Sequence, residues 1–167
     1  AGESFAEDDW HRVADLAIRN NGAPALFARL KHSGIARPPA VTSKLRESYL
    51  AGAAVNMRLF HELNQVLAAL RDAGVQVIPL KGVYLAKAVY EDVALRQMTD
   101  IDLWIQRHQL DAARAAMESI GYAAHSKSDR PLPLQDALAG ETQLIKPGAT
   151  LVELHWNVFP GEWVRHT

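Results

Sequence analysis

The chain of 167 residues is long enough for one ordinary domain, or for a small domain with a helical appendage. Hydrophobic residues make up 49% and charged residues 22%, which is the composition of a globular protein and excludes a disordered one. A formal net charge of −1 excludes a surface that is basic overall, so there is no strong nucleic-acid signal. The absence of cysteine excludes disulfides and thiolate metal sites.

The sequence also gives expectations about the cellular location of the protein and the length of its native chain. No run approaches the ~18 apolar residues of a membrane span, and no charged-then-apolar signal opens the chain. Together with the lack of cysteine, this predicts a cytoplasmic protein with no membrane partner. Because the chain begins with Ala1 and stops abruptly at Thr167, we expect it to be a fragment whose native form extends beyond residue 167.

Residues 1–73 are predicted to form an N-terminal helical region. Apolar residues at helical spacing predict one helix over residues 5–20 and a second over roughly residues 24–33, each followed by a glycine. The prolines within residues 36–40 break this pattern before a longer helix begins.

The longer helix ends the region and carries a continuous stripe with steps of three and four residues. It is predicted to have about 30 residues and to span ~45 Å at 1.5 Å per residue. A glycine and an asparagine in the stripe would weaken a dimer seam, so we expect packing within the chain, with Leu59–Leu70 against the sheet domain. The stripe consists of Leu45, Tyr49, Gly52, Asn56, Leu59, Leu63, Val66 and Leu70.

From residue 74 the hydrophobic period changes and predicts alternating strands and helices. The predicted elements are a strand at 75–80, a short helix at 81–92, a strand at 96–105, an amphipathic helix at 107–122, a polar loop at 126–136 and a hairpin at 141–156 around Pro147-Gly148. We predict an α+β (α/β-like) fold, with a helical region over 1–73 and a sheet domain over 74–167.

Two aspartates in the apolar stretch RQMTDIDLWI, residues 96–105, raise the question of what compensates their charge. Side chains on a strand alternate, so Asp100 and Asp102 face one side with Trp104 beyond them. Their carboxylates would lie ~6.6 Å apart at ~3.3 Å per residue, so both can reach one divalent ion or a pair of ions. Hard oxygen ligands favour Mg²⁺ or Mn²⁺.

A third acid occurs in ATLVELHW, residues 149–156, where Leu151, Glu153 and His155 would share one face of a strand. If this strand neighbours the strand of Asp102, three carboxylates converge on one spot. His155 would then support a ligand carboxylate or contact a substrate.

Readings without a metal remain open for each of these side chains. The two aspartates would lie on an edge strand that faces water, or would pair with Arg96 and Arg107. Glu153 would form a salt bridge to Lys146 across the hairpin. His155 would be an ordinary buried polar group with its hydrogen bonds satisfied.

The stretch IPLKGVYLAK places Lys81-Gly82 where a strand ends and a helix begins. Free backbone N–H groups at a helix start bind anions, and glycine lets a phosphate approach the main chain closely. Lys81 adds a positive charge.

Taken together, these motifs resemble the uncharacterised nucleotidyltransferase family of the polymerase-β-like superfamily. The resemblance covers most of the chain and rests on Leu80-Lys81-Gly82, Arg96, TDIDLWI, IGY and LVELHW, in that order. It implies a small mixed sheet of the minimal nucleotidyltransferase type with flanking helices. It also implies three acids for two metal ions and a loop for nucleotide phosphates. The residues it assigns are Asp100, Asp102 and Glu153 for metal and catalysis, and Lys81, Gly82 and Arg96 for the nucleotide.

The resemblance predicts a metal-dependent nucleotidyltransferase that transfers a nucleoside monophosphate from a nucleoside triphosphate to a hydroxyl acceptor. The acceptor is a small molecule, a peptide or a protein. The wider superfamily prefers Gly-Gly or Gly-Ser where this chain has Lys81-Gly82, so a serine contact to phosphate is lost. The alternative is therefore a catalytically weak or inactive module that binds a nucleotide or a partner. For Arg96, an ion pair with Asp100 or Asp102 stays as open as a triphosphate contact.

A metal site also predicts how the ion-free protein behaves. Three unpaired carboxylates repel one another, so their average pKa should be raised. Asp102→Asn should then leave the ion-free protein as stable as before, or slightly more stable. A purely structural aspartate predicts the reverse, because the substitution would break a buried pair.

Overall fold

A computed structural model describes residues 6–90, 92–126 and 140–157, and all statements below about the fold and the site refer to these residues. It has five α-helices and one five-stranded mixed sheet, which confirms the predicted α+β class. The helices are α1 (Glu7–Arg19), α2 (Ala23–Lys31), α3 (Pro39–Asp72), α4 (Lys81–Ala88) and α5 (Leu110–Ser119). The strands are β1 (Val77–Pro79), β2 (Asp100–Ile105), β3 (Ala123–His125), β4 (Glu141–Ile145) and β5 (Leu151–His155). Two 3₁₀ turns cover Val93–Leu95 and Arg107–Gln109.

The sheet has the strand order β1-β2-β5-β4-β3. Its central pair, β2 and β5, is parallel, whereas β1 with β2, β5 with β4 and β4 with β3 are antiparallel. The β4–β5 pair is the hairpin predicted around Pro147-Gly148. Gly148 has a φ of 75°, a left-handed conformation that favours glycine in such a turn.

The sheet buries one face, as the alternation of apolar residues in β2 and β5 predicts. Ile101, Leu103 and Ile105 of β2 and Val152 and Leu154 of β5 are fully buried. These β-branched and leucine side chains supply the main apolar layer under the sheet. The acids lie on the opposite face, where Asp102 and Glu153 are also buried.

The structure differs from the sequence prediction mainly at short elements. The three-residue edge strand β3 was not predicted, because Ala123–His125 has neither length nor alternation to indicate a strand. The helix predicted over 81–92 ends at Ala88, and a 3₁₀ turn follows at Val93–Leu95. The polar loop predicted over 126–136 lies, apart from Ser126, outside the described residues.

The described residues fall into two compact units. One contains the residues up to Arg58 together with Leu85–Met98, and the other contains Leu59–Tyr84 together with the residues from Thr99 onward. The predicted division into domains 1–73 and 74–167 concerns independent folding and stays a prediction.

In the first unit, the N-terminal helices share an apolar core. Its buried members come from α1, α2 and the start of α3, and the indole of Trp10 is the largest of them. They are Trp10, Ala14, Ala23, Leu30, Val41 and Leu45.

The polar members of the α3 stripe bind the segment that precedes β2. Asn56 is fully buried, and its amide donates hydrogen bonds of 2.6 Å to the carbonyl oxygens of Val93 and Arg96. A Cβ at Gly52 would lie 3.2 Å from the side chain of Gln97, so glycine permits the close approach. The glycine and asparagine that weaken a dimer seam thus make room for, and bind, residues 93–97.

In the second unit, the C-terminal half of α3 buries the rest of the stripe. Leu59, Leu63, Val66 and Leu70 are at most 6% exposed, which excludes them as a free partner surface and agrees with the predicted packing within the chain. Glu62 on the same half of the helix accepts a 2.6 Å hydrogen bond from the backbone N–H of Thr150, just before β5 begins.

Within the described part of the chain, every helix is too short or too polar to cross a membrane.

The role of Asn56 gives a stability prediction. Asn56→Ala should lower the free energy of unfolding by about 2–3 kcal/mol, because two partly buried carbonyl oxygens lose their donor. Asn64→Ala, at an exposed position of the same helix, is the matched control and should change stability by less than about 0.7 kcal/mol. Urea unfolding of both variants measures the difference, and equal effects would show that the buried amide does not hold the segment.

Candidate active site

The parallel pairing of β2 with β5 places Asp102 directly beside Glu153. Paired residues of neighbouring strands point to the same face, so both carboxylates lie on the face opposite the buried leucines and isoleucines. Because β2 lies between β1 and β5, the reading that placed the aspartates on an edge strand is wrong. The two strands predicted to be neighbours are neighbours.

Asp102 is 2% exposed and hydrogen-bonds two nitrogens through a single oxygen. Lys81 Nζ donates to its Oδ1 over 2.6 Å, and His155 Nε2 lies 2.9 Å from the same oxygen. Within the protein itself, a lysine and a histidine therefore compensate the buried charge of this aspartate.

Glu153 is 9% exposed and faces a neutral donor across the hairpin. Gln143 Nε2 donates to its Oε1 over 2.6 Å, and Lys81 Nζ lies 3.9 Å from its Oε2. Lys146, the partner in the reading without a metal, instead donates to the carbonyl oxygen of Ile120 over 2.8 Å.

His155 is buried among three carboxylates. Its Nε2 contacts Asp102 and lies 3.5 Å from Glu153 Oε2, while its Nδ1 lies 3.1 Å from Glu141 Oε2. One donor atom each from Asp102, Glu153 and His155 lies within 4.8 Å of the others. Two carboxylate oxygens and an imidazole nitrogen at this spacing form a donor set that fits a divalent cation.

Asp100 lies on the same face as Asp102, two residues earlier in β2, and is half-buried. The hydroxyl of Thr99 lies 3.4 Å from its Oδ1. Asp100 is not part of the group formed by Asp102, Glu153 and His155, so it lies at the margin of the site.

The two aspartates have opposite pKa shifts. Burial, followed by the charges of Asp102 and Glu153, raises the pKa of Asp100. Burial would also raise the pKa of Asp102, but the hydrogen bonds from His155 and Lys81 outweigh it and lower that pKa. The raised average pKa expected for the carboxylates therefore does not extend to Asp102 itself, because a lysine and a histidine contact its carboxylate.

Lys81 reaches the acids because of how β1 ends. The backbone N–H of Leu80 donates to the carbonyl oxygen of Asp102 over 2.9 Å, which extends the β1–β2 ladder to the residue before Lys81. Lys81 then has a φ of 44°, a left-handed conformation that is unusual for a residue other than glycine. Gly82 follows as the second residue of α4.

The alternative interpretation paired the aspartates with Arg96 and Arg107. Arg107 is stacked on the ring of Trp156, with its guanidinium carbon 4.7 Å from the ring centroid. The Nε of Arg96 is buried with no hydrogen-bond partner among the described residues, and the pairing of Arg96 with an aspartate stays a prediction.

A family comparison decides the wider classification. The model of the uncharacterised nucleotidyltransferase family matches residues 6–167, almost the whole chain. The chain belongs to this family. Neither the curated proteins nor the solved structures contain a match, so the assignment comes from the family model alone.

Within this nucleotidyltransferase family member, sequence reasoning missed two residues of the site. Gln143 and Glu141 lie on β4 and contact Glu153 and His155 across the hairpin. The hairpin register would have predicted both residues. A turn centred on Gly148 places residues 143 and 141 opposite residues 153 and 155.

Because the pKa values of Asp100 and Asp102 shift in opposite directions, replacing each aspartate by asparagine should have opposite effects on stability at pH 7. Asp102→Asn should lower the free energy of unfolding by about 1–3 kcal/mol, because a charged acceptor of two hydrogen bonds is lost. Asp100→Asn should raise it by about 0.5 kcal/mol, because a repelled carboxylate is removed. Urea unfolding of both variants beside the unmodified protein measures these differences.

The two aspartates should also contribute to stability with opposite dependence on pH. Asp102 stabilises the fold above its ordinary pKa near 3.8, and this contribution is lost as the pH falls through its lowered folded value. The penalty from Asp100 is absent below pH 3.8 and grows as the pH rises through its raised folded value. Stabilisation by Asp102→Asn at pH 7 would contradict this description of the ion-free site.

Proposed function

We propose that this protein is a metal-dependent nucleotidyltransferase that transfers a nucleoside monophosphate from a nucleoside triphosphate to a hydroxyl acceptor. The observation that carries the proposal is the buried group of Asp102, Glu153 and His155 on one face of the sheet, in a member of a nucleotidyltransferase family. A structural ion pair needs one carboxylate and one cation, whereas this group brings two carboxylates together beside a third.

The proposed metal ligands are Asp100, Asp102 and Glu153, with His155 as a further donor or as a support for Asp102. Their oxygen donors favour Mg²⁺ or Mn²⁺. Such ions, when bound, stabilise charge on the attacking and leaving oxygens of phosphoryl transfer.

The remaining chemistry would be performed by the protein's own groups. The backbone at the start of α4, with Lys81 and Gly82, would bind the phosphates of the nucleotide. The acceptor hydroxyl oxygen would attack the α-phosphorus, the bond to the oxygen that bridges to the β-phosphorus would break, and pyrophosphate would leave. A carboxylate oxygen of the acidic face would take the hydroxyl proton. The phosphate contact proposed for Arg96 stays a prediction.

The acceptor is proposed to be a small molecule, a peptide or a protein side chain. A template-reading polymerase is disfavoured by the net charge of −1, because duplex binding depends on neutralising many phosphates. The cytoplasmic location stays the prediction made from the sequence.

A second function, nucleotide or partner binding without turnover, is favoured by one observation. Lys81 stands where the superfamily prefers a small loop residue, and in this structure its ammonium is bound to Asp102. A module that retained its acids only to hold this lysine would bind phosphates weakly and would not release pyrophosphate.

Metal and nucleotide binding should stabilise the fold by mass action. Mg²⁺ with a mixture of the four nucleoside triphosphates should raise the free energy of unfolding by about 2.7 kcal/mol at a hundredfold excess over the dissociation constant. Glu153→Gln should abolish most of this response, whereas Asp111→Asn, which alters an exposed acid on α5, should retain it. Thermal unfolding with and without the ligands measures the shift.

Turnover separates the two functions. With γ-³²P-labelled triphosphates, a transferase should release labelled pyrophosphate in an Mg²⁺-dependent way and should lose that release in Glu153→Gln. A ligand-dependent thermal shift without pyrophosphate release for any added class of acceptor would support the binding module. No shift with any metal or nucleotide would contradict both.

A further inference from the structure

Lys81 lies at two proposed sites at once, beside the metal-binding acids and at the start of the phosphate-binding helix. We propose that Lys81 is an internal counter-ion that leaves Asp102 when a divalent cation binds, and that its freed ammonium then binds the phosphates of the nucleotide. This inference rests on the proposed function and assigns Lys81 a positioning role that depends on ligand binding.

The first support is that the ammonium occupies the donor atoms a metal needs. Lys81 Nζ lies 2.6 Å from Asp102 Oδ1 and 3.9 Å from Glu153 Oε2, so it bridges the two carboxylates that pair across β2 and β5. A divalent cation bound to the same carboxylates would stand within a few ångströms of this positive charge. Because like charges at such a distance repel strongly, one of the two must leave.

The second support is the difference in burial between the partners. The side chain of Lys81 is 57% exposed, whereas that of Asp102 is 3% exposed. The carboxylate is therefore fixed in the sheet, and the lysine reaches it from solvent by a flexible four-carbon stem. The ammonium can move away without disturbing packed side chains.

The third support is the backbone at Lys81. Lys81, with a φ of 44°, is the first residue of α4, and only Leu80 separates it from the end of β1. From this position the stem can serve either the acids of β2 and β5 or an anion at the helix start. The burial and charge of Asp102 favour the first arrangement in the ion-free protein, and a bound cation with its phosphates favours the second.

Binding measurements on the full chain test the exchange. Lys81→Met keeps the length of the stem and removes its charge, while Lys87→Met alters an exposed lysine of the same helix and serves as the control. Electron paramagnetic resonance of free Mn²⁺ gives the affinity for the metal alone. Inorganic tripolyphosphate, added at saturating Mn²⁺ and followed by calorimetry, gives the affinity for the phosphate chain without dependence on the base.

The exchange predicts changes of opposite direction. Lys81→Met should bind Mn²⁺ about tenfold more tightly than the unmodified protein, because the competing charge is gone. It should bind tripolyphosphate about tenfold more weakly, because a charge-assisted contact is lost. Lys87→Met should change neither affinity.

Two outcomes would contradict the exchange. If the unmodified protein binds Mn²⁺ and Lys81→Met binds it equally well or more weakly, the exchange is overturned while the proposed function stands. No Mn²⁺ binding by any of the proteins would overturn both.

A measurement on the unmodified protein covers the case in which Lys81→Met does not fold. The rate at which an acylating reagent modifies each lysine can be followed by mass spectrometry as Mn²⁺ is added. Lys81 should become several-fold more reactive with the same half-saturation as Mn²⁺ binding, because it loses its hydrogen bond to Asp102, whereas Lys87 should not change. A reactivity of Lys81 that is unaffected by bound Mn²⁺ would overturn the proposal.

Discussion

The buried carboxylate of Asp102 is the constraint on which the site depends. An isolated negative charge at 2% exposure would be costly, and the fold meets this cost with two nitrogens on one carboxylate oxygen. One nitrogen comes from Lys81 at the end of β1 and the other from His155 on β5. The two nitrogens thus come from the two neighbours of β2 in the sheet. The strand order β1-β2-β5 is therefore what allows both of them to reach Asp102.

The parallel register of β2 and β5 adds a second carboxylate next to Asp102, and the resulting donor set fits a cation. It sets Glu153 beside Asp102, and the hairpin then brings Gln143 to Glu153 and Glu141 to His155. Each carboxylate has a neutral or positive partner, so the group is held together without a metal. Instability of a variant at Asp102 therefore does not argue against metal binding, because the same side chain serves the fold in one state and the proposed ligand set in another.

The sequence predicted the fold class, the hairpin and the facing of the acids, because each followed from a strong local pattern. Alternation in DIDLWI and LVELH decided which side chains share a face, and Pro147-Gly148 marked the turn. The expected repulsion among the acids does not govern Asp102, because the lysine assigned to phosphates donates a hydrogen bond to its carboxylate. That contact depends on the antiparallel approach of β1 and on the left-handed backbone of Lys81, neither of which has a local signature. The short strand β3 was missed because it is defined by its pairing with β4.

Membership of a nucleotidyltransferase family and the buried donor set on the acidic face lead us to propose that Asp102 and Glu153 jointly hold a divalent cation. A crystal structure of the Mn²⁺-soaked protein, with the ion located by its anomalous scattering, tests this claim most directly. If both carboxylates hold the ion, we expect an anomalous peak coordinated by carboxylate oxygens of Asp102 and Glu153, with Lys81 Nζ no longer on Asp102 Oδ1. An acidic face that holds no peak at saturating Mn²⁺, with the Lys81–Asp102 contact intact, would contradict it.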